Sequence, residues 1–562
     1  MTATTVRPVK PSQRAAPLLA LFPLIFLSVF LGHYTLLRLP YFWDEGGYYI
    51  PAALDFFRTG TLIPQSTITN AHPPLPSILL AAEWHLTGFN ILATRTFICL
   101  IAAAALLAVC RLARAFIGTR AAVAVTLLTA VYPIFYVQST LAHADIFAAA
   151  FTLWAIALYF GNSVEGCHPE RSEGPAFFAR ATTIALLFSL SVLSKETAIV
   201  TPCALALHRL YLSIRDRNNR HTHLFWLAAL SFCVLPLLAW YGFHYHRTGF
   251  VFGNPEFLRY NAIANLDAHR IALALYHRAL HLLTHMNMWA ATLLTAACFL
   301  LPRRIAPSIP RAVVTSILIL LIANWIAFSI LGGALLTRYL LPMYPLLLLL
   351  FVALWRERTQ HWPYLAALTA AAFLAALHVN PPYAFAPEDN LTYRDMIVLH
   401  QQAVTLIAQR FPQATVLTAW PANAELSRPD LGYTPVPIKV VTLQNFALDQ
   451  LQKAAQSPGD FDTALLFSTK YEPPSGHANL SQHTQNSDAR YFDFHRDVLP
   501  SEAAHLLHGE VLWQNSRNGE WAAVLRFPRS FEAHSGEFYP DMLATLPKLN
   551  EIGLPIVTGP RL

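Results

Sequence analysis

The residues best suited to chemistry lie in one stretch, LPYFWDEGGYYIPAALDFFRTGTLIPQSTITNAHPPLPSILL (39–80). Asp44 and Glu45 stand side by side and are followed by Gly46-Gly47 and Tyr48-Tyr49. The chain just before them is almost wholly apolar, so both carboxylates fall at the margin of a segment that seeks hydrocarbon. A carboxylate there needs water, a cation or a catalytic use. On a helix, Asp44, Tyr48 and Asp55 share a face, because spacings of four and eleven return to nearly the same angle. Pro51 would kink that helix. Further along, His72-Pro73-Pro74-Leu75 places one imidazole on a rigid turn. Each feature alone also has an ordinary reading: acids mark the edge of a span, tyrosines line an interface, and a His beside two prolines holds a turn.

The elements that must position these residues follow from composition. The chain has 562 residues, 55% of them apolar and 13% charged, about half the charge density of a soluble domain. That excludes a soluble enzyme, a disordered chain and a disulfide scaffold. The net charge of +7 is uneven: residues 1–378 hold 26 Lys/Arg against 13 Asp/Glu, and residues 379–562 hold 13 against 19. The basic excess thus belongs to the apolar part, where it sets topology, and it is no argument for nucleic acid. None of the six cysteines lies in the polar C-terminal third and none forms a CxxC pair, so a thiolate zinc site is not expected.

Hydropathy predicts a mostly α-helical, polytopic transmembrane bundle (residues 1–378) of about eleven spans, at 17–37, 92–110, 121–139, 146–161, 182–194, 197–213, 224–243, 286–302, 312–331, 339–354 and 363–378. The first run reads as an uncleaved span, too long for the core of a signal peptide. A cytoplasmic N-terminus puts most loop Lys and Arg inside and most loop acids outside. Residues 182–213 are too long for one crossing and read as a hairpin with Lys195-Glu196 at its outer apex; the competing reading buries Lys195 in one long helix. Residues 379–390 (with NPPYAFAPEDN) read as a Pro-rich linker. Residues 391–562 read as a small extracytoplasmic α/β domain, with strands at 414–420, 438–443, 463–468 and 520–527 and an amphipathic helix at 394–411.

A first span, then WDEGGYY, then HPPL some thirty residues later resembles the GT-C glycosyltransferase superfamily, in particular its bacterial protein-O-mannosyltransferase-like and aminoarabinose-transferase-like members. LAHADIF (141–147), LSKETAIVTP (193–202) and TRYLLPMYP (337–345) extend the resemblance over roughly residues 17–355. It implies an inverting transferase of the cytoplasmic (inner) membrane that moves a sugar from polyprenyl phosphate to a lipid, glycan or protein hydroxyl at the outer face. Such a reaction needs a base for the hydroxyl and cations for the leaving phosphate, and no Gly-rich nucleotide loop is present.

By that resemblance Asp44 is the general base. Glu45 orients the acceptor or shares a divalent cation, the one candidate cofactor besides the lipid-linked donor. Tyr48 contacts the donor, His72 a phosphate or a metal, Asp145 (near His143) a cation or the sugar, and Lys195 and Arg338 the phosphate. In the second long outer loop (about 244–285; the first is about 38–91) His244 and His246 have a weak metal spacing, and Arg247, Arg259 and Arg270 are further candidates for an anion. In the tail, residues 418–433 offer side chains typical of sugar contacts. The rival readings are a transporter or flippase of lipid-linked sugars and a non-catalytic membrane scaffold. Ionisable residues crowd the outer edge, not the bilayer midplane, which favours chemistry at the surface.

Overall fold

The structure is a computed structural model and describes residues 18–68, 72–161, 174–253, 266–331, 335–473, 490–492 and 496–527. Arg259 and most of the polar segment 162–180 lie outside them. Among the described residues seven helical segments are long and apolar enough to cross a membrane: Ile91–Val131, Ala144–Gly161, Pro175–Ser194, Glu196–Arg215, Arg220–Thr248, Ala268–Phe299 and Arg311–Ile330. The apolar helices Leu19–Gly32 and Trp362–His378 are shorter. The chain is a multi-pass membrane protein, and its helices follow the predicted apolar runs even where the count of eleven spans does not.

Two differences have local causes. The runs 92–110 and 121–139 join into Ile91–Val131, which breaks direction at Gly118, where φ is 76°. Only glycine takes that conformation without strain. The second run then stops before Pro133, which opens the short helix Pro133–Gln138 because a proline lacks the N–H that a helix interior needs. The run 182–213 divides as expected: Pro175–Ser194 ends at Lys195, which is extended (φ −152°, ψ 121°), and the chain re-enters a helix at Glu196. Lys195 is buried, however, and does not sit at an open apex.

Beyond the linker, the helix Thr392–Arg410 packs on a five-stranded sheet of β1 (Thr415–Ala419), β2 (Lys439–Leu443), β3 (Thr463–Phe467), β4 (Glu510–Arg517) and β5 (Glu520–Arg526). The order is β2-β1-β3-β5-β4, with β1 parallel to β2 and β3, and β5 antiparallel to β3 and β4. β4 lies outside the four strands that pattern predicts. Its side chains are mostly exposed, so it lacks the apolar signature that marked the other four.

The sheet does not hang free of the helical body. The C-terminal end of β1 runs into Trp420, which is seated so closely on Gly47 that a Cβ on that glycine would overlap the indole ring. The Tyr41 amide donates to the Leu431 carbonyl at 3.1 Å, Arg58 pairs with Asp430 at 3.2 Å, and the Asn380 side chain donates to the Asn518 carbonyl at 2.7 Å.

Candidate active site

The first loop leaves the membrane and folds over the bundle in a π-helical turn, Glu45–Tyr49, that continues into the helix Ile50–Thr59. Such turns are rare and frequent at functional sites. Trp43, immediately before Asp44, has φ 46°, a strained conformation for a bulky residue.

The two neighbouring acids part company there. Asp44 is partly open (19%) and its carboxylate is paired with Arg338. Glu45 is fully buried. Its Oε1 accepts from Arg95 Nη1 (3.0 Å) and the Ala142 amide (2.6 Å), and its Oε2 from Arg95 Nη2 (3.0 Å) and the Phe42 amide (2.8 Å). All four bonds are internal, so Glu45 has no lone pair to offer an acceptor or a cation. The part expected of Glu45 finds no open oxygen in this arrangement, and its four bonds pin the loop bearing Asp44 to the bundle. Asp55 is likewise committed, accepting from the amides of Gln65 (2.7 Å) and Ser66 (2.8 Å).

Arg338 is the hub. It lies on the turn Thr337–Leu340, buried. Nη2 bonds Asp44, Nη1 bonds Glu388, and Nε is 3.3 Å from Asp145 Oδ2. Asp145, in the first turn of Ala144–Gly161, holds Lys195 Nζ at 2.6 Å. Lys195 also rests on the face of Tyr339, 4.1 Å from the ring centre, a favourable contact for a buried cation. Asp44, Arg338, Asp145 and Lys195 therefore form one continuous chain of alternating charge. His72 joins its far end, with Nδ1 2.8 Å from Glu196 Oε2, the residue next to Lys195. His143 Nδ1 is 3.0 Å from Gln138 Oε1. Burial, with Arg338 and Lys195 nearby, pushes its pKa well down and keeps it neutral.

Two clefts open along this chain. One is lined by Asp145, Lys195, Arg338, Tyr339, Asn324 and Thr201. The other is lined by Tyr48, Tyr49, His72, Phe56, Trp240 and His244. Tyr48 also packs on Trp420, ring centres 5.3 Å apart. His244 Nδ1 is 2.7 Å from the Phe250 carbonyl oxygen. Arg270 is spent on the carbonyls of Ser329, Ile330 and Leu331, which close the end of Arg311–Ile330. Among the described residues no group of three or more His, Cys, Asp or Glu side chains is placed to hold a metal ion.

Several site residues were not foreseen. Arg95 stood in a predicted span, and a lone arginine in an apolar run is itself a signal of a buried partner. Glu388 and Asp389 fall in the segment 379–390 that pattern assigns to a linker. Asp389 is paired with His285 (2.8 Å) and bonded by Thr337, so residues 337–338 and 388–389 are stitched together rung by rung.

No curated protein sequence matches the chain. Residues 71–240 match the family described as dolichyl-phosphate-mannose-protein mannosyltransferase. The crystal structure of ArnT from Cupriavidus metallidurans bound to undecaprenyl phosphate superposes with a TM-score of 0.54 at 13% identity, over 90% of this chain and 97% of that one. The chain has a GT-C fold. The apo form of the same ArnT gives the same TM-score and coverage. An Archaeoglobus fulgidus oligosaccharyltransferase in complex with Zn and sulfate is a more distant likeness: TM-score 0.46, 12% identity, over 80% of this chain and 67% of that one. The family match begins at residue 71, just before His72, and ends at Trp240. It therefore spans Asp145 and Lys195 but neither Asp44 nor Arg338.

Proposed function

We propose that the protein is an inverting glycosyltransferase of the cytoplasmic membrane, taking a sugar from a polyprenyl-phosphate donor to a hydroxyl on a lipid, glycan or protein at the outer face. The observation that carries this reading is the unbroken run Asp44–Arg338–Asp145–Lys195, whose last three members line a cleft: a partly open carboxylate at one end, buried cations beyond it. The undecaprenyl phosphate in the similarly folded ArnT supports a lipid phosphate as the leaving group. The loop charges support a cytoplasmic N-terminus and an extracytoplasmic tail domain.

The acceptor oxygen attacks the anomeric carbon from the side opposite the phosphate, and the carbon–oxygen bond to the phosphate breaks. The acceptor proton passes to Asp44. The electron pair leaves with the polyprenyl phosphate, whose charge Arg338 and Lys195 meet at short range in a site shielded from water. Arg338 fixes where Asp44 points, Asp145 fixes Lys195, and Glu45 with Arg95 fixes the loop. Tyr48 and His72 line the neighbouring cleft, where an acceptor or the donor's sugar would lie.

The test is incubation of purified protein with a panel of polyprenyl-phosphate sugars, scoring release of the lipid phosphate. Turnover of at least one donor by wild type, lost in Asp44→Asn, is expected; equal turnover by that variant would overturn the mechanism. A parallel reaction with EDTA tests for a divalent cation.

A further inference from the structure

Arg338 carries more negative charge than it can balance. Asp44, Asp145 and Glu388 all lie within bonding or ion-pairing reach of one guanidinium, and Lys195 is the second cation of the group. With all three carboxylates ionised the cluster has a net charge of −1. With one proton on any of them it is neutral. The cleft beside it would have to admit an anionic phosphodiester, and a net negative wall opposes that.

Glu388 is the acid best placed to carry the proton. It is buried (4% exposed) and held at Arg338 by its own turn: Asp389, next to it, is anchored by His285 and Thr337. Burial raises its carboxyl to about 8, against the pull of Arg338 and helped by Asp44, Asp389 and Asp145. The helices packed on this turn add no opposing charge. Pro133–Gln138 contributes Tyr136, whose hydroxyl donates to the Gly32 carbonyl. In Thr392–Arg410, Arg394 pairs with Asp395, and the Tyr393 hydroxyl is 3.3 Å from Thr140 Oγ1. His143 reaches Arg338 Nη1 at 3.4 Å and is neutral.

Arg338 also keeps unused bonding capacity. Its Nε and Asp145 Oδ2 are close enough to pair but misaligned for a hydrogen bond, and each lacks a hydrogen-bond partner among the described residues. Both residues line the cleft that Lys195 shares.

We propose that Glu388 is a proton-bearing positioning residue: it holds a proton while an anionic lipid phosphodiester occupies the cleft, and so leaves Arg338 Nη1 to the phosphate. The linker acid acts through Arg338 and does not touch the substrate. Linkage makes the effect reciprocal: the bound anion strengthens Glu388's hold on its proton by the same factor as the proton strengthens anion binding. This rests on reading the cleft as a lipid-phosphate site.

The experiment uses the full-length protein in detergent and a polyprenyl methyl phosphate, a sugar-free diester whose single charge does not change between pH 7 and 9.5. Wild-type affinity is expected to hold up to about pH 8 and then to fall by up to tenfold per pH unit, the limit for one proton. Glu388→Gln, which mimics the protonated acid in shape and charge, is expected to bind as tightly as wild type at pH 7 and to keep that affinity at pH 9.5. Wild-type binding that changes less than twofold over the range overturns the proposal, without need of the variant. So does a Glu388→Gln protein that retains the wild-type slope. In both cases the lipid-phosphate reading survives, because the probe binds. Failure of wild type to bind the probe at any pH overturns both.

Discussion

Arg95 and Glu45 meet as two forks, each Nη of the arginine 3.0 Å from a different oxygen of the carboxylate, with neither residue more than 1% exposed. Breaking a buried pair leaves one charge with no compensation and costs about 3–5 kcal/mol. Glu45→Ala and Arg95→Ala should therefore each lower the melting temperature sharply and by similar amounts in a detergent-solubilised thermal-shift assay. A Glu45→Ala protein that melts like wild type but has lost transfer would instead return Glu45 to the chemistry.

Asp44 should behave in the opposite way. Its side chain is partly open and, among the described residues, is bonded by Arg338, so Asp44→Asn keeps its shape and most of its packing. A proton acceptor typically contributes about 10²–10⁴ in rate. The variant should lose at least a hundredfold in kcat while its melting temperature moves by only a few degrees.

Gly47 lies under the Trp420 ring, with no room for a methyl group. Gly47→Ala should push the tail domain off the loop and cut activity, whereas Gly47→Ala combined with Trp420→Ala should recover much of it. Residues in contact commonly show coupling of about 0.5–3 kcal/mol. Additive losses in that double-mutant cycle would show that the contact does not matter to the site.

The tail domain has a titration of its own. Glu520 is buried in β5 and bonded by Ser468 through one oxygen; the other lacks a hydrogen-bond partner among the described residues. Burial, aided by Asp497 and Asp395, raises its carboxyl from about 4.5 to about 8. Between those values the folded chain holds a proton that the unfolded chain has lost, so stability is full below about pH 4.5 and declines as pH rises towards 8. Glu388 adds to the same slope. Melting temperatures recorded from pH 5 to 8 should fall with pH in wild type and fall less in Glu520→Gln; equal slopes would remove Glu520 from the account.

Much of this arrangement was legible because apolar runs and loop charge respond to a bilayer, a simple and strong field. The broken run at Lys195, the helix after the linker and four of five strands follow from pattern alone. Asp44, Asp145, Lys195 and Arg338 were singled out from residue type and motif, and the fold brings them into one chain. What pattern could not supply was partnership. Glu45 and Asp44 look alike in sequence, and only the approach of Arg95 from another helix separates a structural acid from an available one. Glu388 was hidden by its neighbours, because prolines around an acid spell a loop, and nothing local says that the loop is pressed against Arg338. β4 escaped because a mostly exposed edge strand has no buried face to betray it.

The stitching of residues 388–389 to residues 337–338 has a bearing on how such proteins diversify. Exchanging the tail of this chain for that of a relative at the seam after His378 would transplant one of the acids that neutralise Arg338 along with the new fold. The two parts are thus obliged to change in concert, and a hybrid that keeps residues 380–390 of the recipient is the one expected to retain a working reaction centre.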